Sequence, residues 1–467
     1  MNKQKTFFIH CGHILGLTAI LYIPIGIFVS KGLAPLFAVS VVLCLVLKIW
    51  QRQSLQWMVG LVLYTLIALV FWSTASWFWS ISPDETLKTV ISLAITFLTG
   101  IFLFGISLSF GPKEKKSFQN GMILGGFIGF SLIAIEFATN AGLARLLSYE
   151  LALMKNPNLP SYSTFIFSVY GNSTPVMNSG MAATALYFFP WALTIKNRFS
   201  QKVFIPIILI GAALILMTYA DAVKLGFIIG VLVFLTAFVW PRWINRILSV
   251  AITIGVLTAP LIPGLLPNPL VHSKNLEFFS PSSAHRILIW KNTAEHIKQK
   301  LFLGSGLDAT RGLYTAKDRV IYDFPSSLSN GAAYRIFYEP IPLHPHNAVL
   351  QLWLELGAIG ALIGLGLLLA ILRSIRRGNL SKADQAVALG LFSTTLTLAS
   401  ISFGIWQGWW LSSILLITAY LISLLEKPLE KNLNKSPLPP KGETGGPKGL
   451  EPTRYGDWER KGRAIDF

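Results

Sequence analysis

Apolar stretches of about twenty residues recur along this chain from its N-terminal region to residue 425. About twenty residues at a helical rise of 1.5 Å cross a hydrocarbon core of roughly 30 Å, so each such stretch is a candidate membrane helix. The repetition excludes a single anchor. Composition agrees: 53% of residues are hydrophobic and 13% charged, with a mean hydropathy of +0.58. An ordinary soluble domain carries about a quarter charged residues. The candidate spans are residues 8–29, 33–50, 57–79, 87–109, 119–139, 176–195, 203–220, 222–240, 244–263, 346–372, 383–403 and 406–425. The expectation is an all-α polytopic membrane protein of about twelve transmembrane helices, with a large loop between the ninth and tenth.

The formal charge of +18 would suit a nucleic-acid binder, but its placement speaks against that partner. Lys and Arg gather in short clusters between the apolar stretches and in the C-terminal tail. With the N-terminus in the cytoplasm, Lys48/Arg52, Lys113/Lys115/Lys116, Lys196/Arg198/Lys202, Arg242/Arg246 and Arg373/Arg376/Arg377/Lys382 all fall on the inner side. Every second short connection is then basic, as the positive-inside rule requires. The basic start at Lys3 and Lys5 followed by an apolar run has the outline of a secretion signal. No small-residue cleavage pattern follows, and the segment reads as the first membrane helix. Cys11 and Cys44 lie inside apolar segments, which supports neither a disulfide framework nor a thiolate metal site.

The opposite side receives two longer connections, residues 140–175 and 264–345, where functional groups concentrate. The larger contains five of the seven histidines, His272, His285, His296, His344 and His346. Within it, Ser283 to Leu301 places Ile287, Trp290, Ala294 and Ile297 on one helical face, which predicts an amphipathic helix at the membrane interface. Beyond Leu425 the chain turns to Pro, Gly, Lys and Glu without an apolar period. Residues 426–467 are therefore expected to form a disordered cytoplasmic tail, following a membrane domain over residues 1–425.

Charged side chains in or beside membrane helices cost a few kcal/mol each on insertion scales, so Glu136, Asp221, Lys224 and Glu355 each raise a functional question. Asp221 and Lys224 are three apart and can pair on one face. Arg286 and Arg311 lie in the outer loop, against the positive-inside bias, and a guanidinium can hold phosphate through two parallel hydrogen bonds. The segment HPHNAVLQLWLELGAIGALIG runs from His344 to Gly364. Pro345 restricts the chain before it, so His346 belongs where an extended loop enters a helix. Asn347 can cap that helix, and Gln351 and Glu355 share a face at i, i+4. Gly357, Gly360 and Gly364 offer small surfaces for close packing. An imidazole here, with an ordinary pKa near 6.5, can act as a general base or can simply cap.

His346-Asn347, nine residues, Gly357, two residues and Gly360 resemble the signature of bacterial O-antigen ligases and related lipid-linked glycan polymerases. Arg286 in SAHRILIW and the GSGLDATR run from Gly304 to Arg311 complete an ordered set. The resemblance in topology covers residues 8–425, and the specific motifs occupy residues 218–364. It implies metal-independent glycosyl transfer without a cofactor, at the periplasmic face of the bacterial inner membrane, with both termini cytoplasmic. It implies His346 as the catalytic residue acting on the acceptor hydroxyl, and Arg286 on the undecaprenyl diphosphate of the glycan donor. The acceptor would be a sugar of the lipid A core, or a lipid-linked glycan if the protein is a polymerase. Where the family has a second arginine, this chain reads MTYADAVKLGFIIG, and Lys224 supplies a point charge in place of a bidentate fork. Arg311, His344 and Asn347 are further substrate-binding candidates beside the motifs. Outside this class stands a lipid-linked glycan flippase or transporter, for which Asp221, Lys224 and Glu136 would form an ion path.

Separately, GGPKGLEPTRYGDWERKGRAIDF, within residues 437–467, resembles the C-terminal signature of succinate dehydrogenase assembly factor 4. That implies the succinate dehydrogenase flavoprotein subunit as a partner of the tail.

Overall fold

A computed structural model describes residues 9–54, 60–170, 177–268, 281–313, 320–324, 334–338, 340–425, 458–460 and 463–465. His272 and most of the tail segment 437–467 lie outside these. The chain is all-α in its main architecture. The helices are α1 (Cys11–Phe28), α2 (Leu33–Trp50), α3 (Leu61–Ala75), α4 (Pro83–Leu108), α5 (Pro112–Ala138), α6 (Gly142–Lys155), α7 (Tyr162–Tyr170) and α8 (Asn178–Arg198). They continue with α9 (Gln201–Leu216), α10 (Asp221–Val239), α11 (Pro241–Thr258), α12 (Ile262–Leu265), α13 (Pro281–Gln299), α14 (Ala348–Arg377), α15 (Lys382–Ile401) and α16 (Gly408–Leu424). A helix occupies each of the twelve apolar stretches. Among the described residues, seven helical segments are both long and apolar enough to cross a membrane, and α9 and α16 are shorter apolar helices. The protein is a multi-pass membrane protein.

The outward faces carry the pattern that lipid contact requires. On α11, Trp243, Ile247, Val250, Ile254 and Leu257 are exposed at spacings of three and four, one continuous apolar stripe. Inside, α1 is held by close approaches at small residues, because lipid supplies no hydrophobic drive for helices to associate. A Cβ on Gly121 would stand 2.4 Å from Gly16 Cα, and one on Gly180 2.5 Å from Ile27 Cα. Buried tyrosine hydroxyls find partners across helices: Tyr420 donates to Thr18 at 2.8 Å, and Tyr187 lies 2.9 Å from the Met122 carbonyl. Cys11 and Cys44 are free and buried in this core.

Basic connections lie together at one end of the bundle. Lys48 bonds Ser109 at 3.2 Å and Lys115 bonds the Leu425 carbonyl at 3.1 Å, so several basic connections share one end. At the other end the α3–α4 turn meets the segment 303–311, with Trp79 donating to the Leu303 carbonyl at 3.0 Å and Thr86 to Leu307 at 2.7 Å.

Helix α14 is not continuous. Gly357 has φ 66 and ψ −167, which breaks it into two pieces. The break frees three carbonyls, and each is taken up. Ser305 N–H donates to Leu354 at 2.9 Å, Gly306 N–H to Glu355 at 2.8 Å, and the Trp72 indole to Leu356 at 2.9 Å. A Cβ on Gly357 would lie 2.2 Å from the Phe302 carbonyl oxygen. The glycine expected to serve helix packing is therefore a backbone break, required by a left-handed conformation and by a loop lying against it. Gly360 and Gly364 do provide close packing, but against Leu356 and Leu352 of the preceding piece of their own helix.

The long connections contain structure of their own. Residues 140–175 hold α6 and α7, and residues 264–345 hold α13 and a hairpin of β1 (Val320–Phe324) with β2 (Tyr334–Tyr338), paired antiparallel in register Val320–Tyr338. Helix α13 buries the expected Ile287, Ala294 and Ile297, with Trp290 partly buried. It also buries Leu288 and Ile289, so it is covered on more than one face and is not a helix with one wet side. The chain divides into two units, Met1–Leu425 and Glu426–Phe467. Within the second, β3 (Trp458–Arg460) pairs antiparallel with β4 (Arg463–Ile465).

Candidate active site

The histidine loop enters α14 through a tight turn. Asn347 is extended at φ −152 and its Oδ1 accepts from the N–H groups of Val349 and Leu350, both at 3.0 Å. This is the cap the sequence predicts, and it commits the Asn347 side chain to the helix terminus. His346 stands where the loop turns into the helix, as expected, and adopts φ 53, a left-handed conformation uncommon for a residue with a Cβ. The Trp290 indole of α13 donates to the Pro345 carbonyl at 3.0 Å and pins the turn.

Two bonds orient the imidazoles. His346 Nδ1 lies 2.7 Å from the Ser402 carbonyl in the α15–α16 turn. A carbonyl can only accept, so Nδ1 carries the hydrogen and Nε2 of the neutral ring keeps its lone pair. The His346 backbone N–H donates to His344 Nδ1 at 3.2 Å, the two rings lie 4.3 Å apart, and the Gln407 side-chain amide is 3.1 Å from His344 Nε2. Burial lowers the pKa of His346 below the ordinary histidine value and Arg286 lowers it further, opposed by the Ser402 hydrogen bond. Burial, with His346 and Arg311 adding to it, brings His344 down to about 3. Both rings are neutral at pH 7.

Basic groups surround them. Arg286 and His285 sit on α13, and burial followed by His346 and Arg286 lowers the pKa of His285. Arg286 loses part of its hydration to burial, while the Asp221 carboxylate favours its charge. Asp221 opens α10 and pairs with Lys224 at 3.3 Å, as their spacing predicts, with the Asp221 side chain 84% exposed. Arg311 pairs with Asp308 at 3.4 Å. Burial raises the pKa of Asp308, which accepts a hydrogen bond from Thr89 at 2.8 Å. The structure thus gathers His344, His346, Arg286 and Arg311 around one site, with Lys224 linked to it through Asp221 and Asn347 fixing the loop's entry into α14.

Of the other charges singled out in the sequence, Glu136 accepts from the N–H groups of Leu143 and Ala144 at 3.1 and 3.2 Å and thereby caps α6. Glu355 is fully buried and hydrogen-bonded to Gln351 at 3.0 Å. An apolar groove begins at Trp290 and Asn347 and runs between α11, α14 and α15, lined by Ile252, Val256, Leu350, Leu368 and Leu396, with a volume of about 350 Å³. Among the described residues, no group of three or more His, Cys, Asp or Glu side chains could hold a metal ion. Sequence reasoning missed Ser402 and Gln407. Ser402 acts through its backbone carbonyl, which leaves no trace in side-chain identity.

Residues 206–365 match the family model of O-antigen ligase, a stretch that includes His346, Arg286, Lys224, Arg311, His344 and Asn347. The chain is similar to proteins named "Putative polysaccharide ligase" in three Rickettsia species. It is 27% identical over 380 residues to that of Rickettsia felis, covering 81% of this chain and 84% of the relative. The Rickettsia bellii relative is 27% identical over 76% of this chain and 78% of its own. The Rickettsia conorii relative is 28% identical over the same shares. Residues 425–467 match a second family model, described as a protein of unknown function. Part of this segment, 33 residues or 7% of the chain, is 64% identical to a UPF0369 protein of Rickettsia conorii and covers 36% of it.

Proposed function

Taking as premise the match of residues 206–365 to the O-antigen ligase family model, we propose that the chain transfers a glycan from undecaprenyl diphosphate to a sugar hydroxyl, that of the lipid A core. The observation that carries this reading is the bond from His346 Nδ1 to the Ser402 carbonyl, which leaves Nε2 as a base among cationic side chains. As the acceptor oxygen bonds to C1 of the donor sugar, His346 Nε2 takes its proton and the C1–O bond to the phosphate breaks. General base assistance of this kind contributes about 10² to 10⁴ in rate. The departing diphosphate keeps the electron pair, and Arg286, Lys224 and Arg311 stabilise its charge. His344 holds the loop turn in place, and Asn347 orders the entry to α14. The groove starting at Asn347 suits the polyprenyl chain of the donor, with its diphosphate beside Arg286.

The site lies at the end of the bundle away from the Lys48 and Lys115 connections, which supports a periplasmic site in the inner membrane with both termini cytoplasmic. A polymerase joining two lipid-linked glycans would use the same machinery. The flippase reading draws less support, because Glu136 is consumed in capping α6 and the Asp221–Lys224 pair is exposed at a helix end. For the tail, the assembly-factor resemblance supports the succinate dehydrogenase flavoprotein subunit as a partner.

The test is complementation of a deletion strain, read from lipopolysaccharide bands. Loss of capped core with accumulation of lipid-linked polymer marks a ligase, whereas core carrying a single repeat unit marks a polymerase. His346→Ala should abolish transfer while the protein still inserts. Ligation retained by that variant would end the catalytic role of His346.

A further inference from the structure

Glu355 has no exposed surface, and its carboxylate accepts from four neutral donors. They are the Asp308 N–H at 2.7 Å, the Thr310 hydroxyl at 2.6 Å, the Gln351 amide at 3.0 Å and the Trp406 indole at 2.6 Å. A buried charge without a cation persists only where hydrogen bonds satisfy it fully. These donors come from different parts of the fold. Asp308 and Thr310 belong to the loop that carries Arg311, Gln351 lies one turn earlier on α14, and Trp406 belongs to the α15–α16 turn. Gln351 in turn accepts from the Ile405 N–H at 3.0 Å, so the Gln351–Glu355 pair grips that turn at two successive residues. The same turn presents the Ser402 carbonyl to His346 and Gln407 to His344.

We infer that Glu355 is a positioning residue for the transfer: through Trp406 it fixes the turn that orients His346, and through Asp308 and Thr310 it fixes the loop that carries Arg311. This rests on the reading of His346 as base and Arg311 as part of the diphosphate site. The carboxylate touches neither substrate nor the reacting atoms. Its contribution is to hold two loops on a common anchor, so that base and cation keep one separation. A glutamine at this position would turn an NH₂ group toward donors and could not satisfy all four.

The two arms separate by experiment, in the full-length protein reconstituted in vesicles with an undecaprenyl-diphosphate-linked glycan donor and a lipid A core acceptor. Rates are taken per inserted protein. Glu355→Gln should lower kcat on the order of 10²-fold, the scale of a misplacement near 1 Å. Trp406→Phe removes only the bond toward the histidine turn and should lower kcat about tenfold. It should also move the acid limb of the pH profile downward, because a loosened Ser402 contact no longer favours protonated His346. The other titratable or charged groups facing His346 are His344, His285 and Arg286, and that variant leaves them all in place. Thr310→Val removes the bond toward the Arg311 loop and should raise the donor KM. If Glu355→Gln fails to accumulate, the other two variants decide. Rates that fall with acid limb and donor KM both unmoved assign Glu355 to folding alone and overturn the inference, as do wild-type rates in both. His346→Ala in the same vesicles keeps the two claims apart: transfer by that variant defeats the reading beneath, whereas its inactivity beside wild-type-like Glu355→Gln and Trp406→Phe defeats only the inference.

Discussion

At the scale of single residues, His346 combines a left-handed backbone, a buried ring and a bond that selects its tautomer. Such a conformation costs on the order of 1–3 kcal/mol in a residue with a side chain and persists where its surroundings over-determine it. Here those surroundings are the Asn347 cap, the Trp290 bond to Pro345 and the Ser402 carbonyl. A base must be neutral to work, and protonation of His346 would remove its lone pair. Since burial and Arg286 lower its pKa, activity should be full above that value and fall only on the acid side, with the limb below pH 6.5. Arg286→Gln removes one lowering influence, so the acid limb should shift upward in a normalised kcat/KM profile, whatever the loss in donor binding. A limb that stays or moves down would detach Arg286 from the electrostatics of His346. The Asn347 cap and the Gln351–Glu355 pair were legible in the sequence because both follow from helical spacing. The tautomer was not, since a carbonyl 56 residues away sets it.

At the scale of elements, the break in α14 organises the site. Hydropathy located this helix and the other apolar stretches, because length and apolar content are properties of a contiguous segment. It could not show the break, because Gly357 sits in continuous apolar sequence and its conformation answers to Phe302 and Leu303 in a distant loop. The β1–β2 hairpin was likewise missed, its strands lying inside a long connection without a clear period. The break makes a testable contrast between two glycines of one helix. Gly357→Ala would place a Cβ on the Phe302 carbonyl at a φ of 66, a conformational penalty of roughly 1–3 kcal/mol before the clash is counted. Gly366→Ala would meet only Thr65 Cγ2 at 3.6 Å, an ordinary contact. The first should lower the midpoint of thermal unfolding in detergent and reduce transfer, and the second should do neither. Equal midpoints for the two variants would mean that the break is not required.

At the scale of the whole molecule, the two family models match separate stretches, residues 206–365 and 425–467, and the chain divides into its two units where the apolar period ends. The membrane unit closes on itself at its C-terminus: Trp410, Leu416, Tyr420 and Leu424 of α16 are buried within it, and Lys115 bonds the carbonyl of Leu425. Every residue proposed to act in transfer, the positioning Glu355 included, lies between positions 224 and 355, and the turn that orients His346 ends at Gln407. Part of the tail matches a UPF0369 protein and covers 36% of it, and the proposed topology assigns the tail to the cytoplasm and the site to the periplasm. Removal of residues 426–467 should therefore leave both insertion and glycan transfer at wild-type levels in the complementation assay. If the assembly-factor resemblance reflects a function, the same truncation should lower succinate dehydrogenase activity in a strain lacking another copy of that factor. A truncated protein that inserts normally but no longer transfers glycan would show that the two units work as one, against the separation proposed for them.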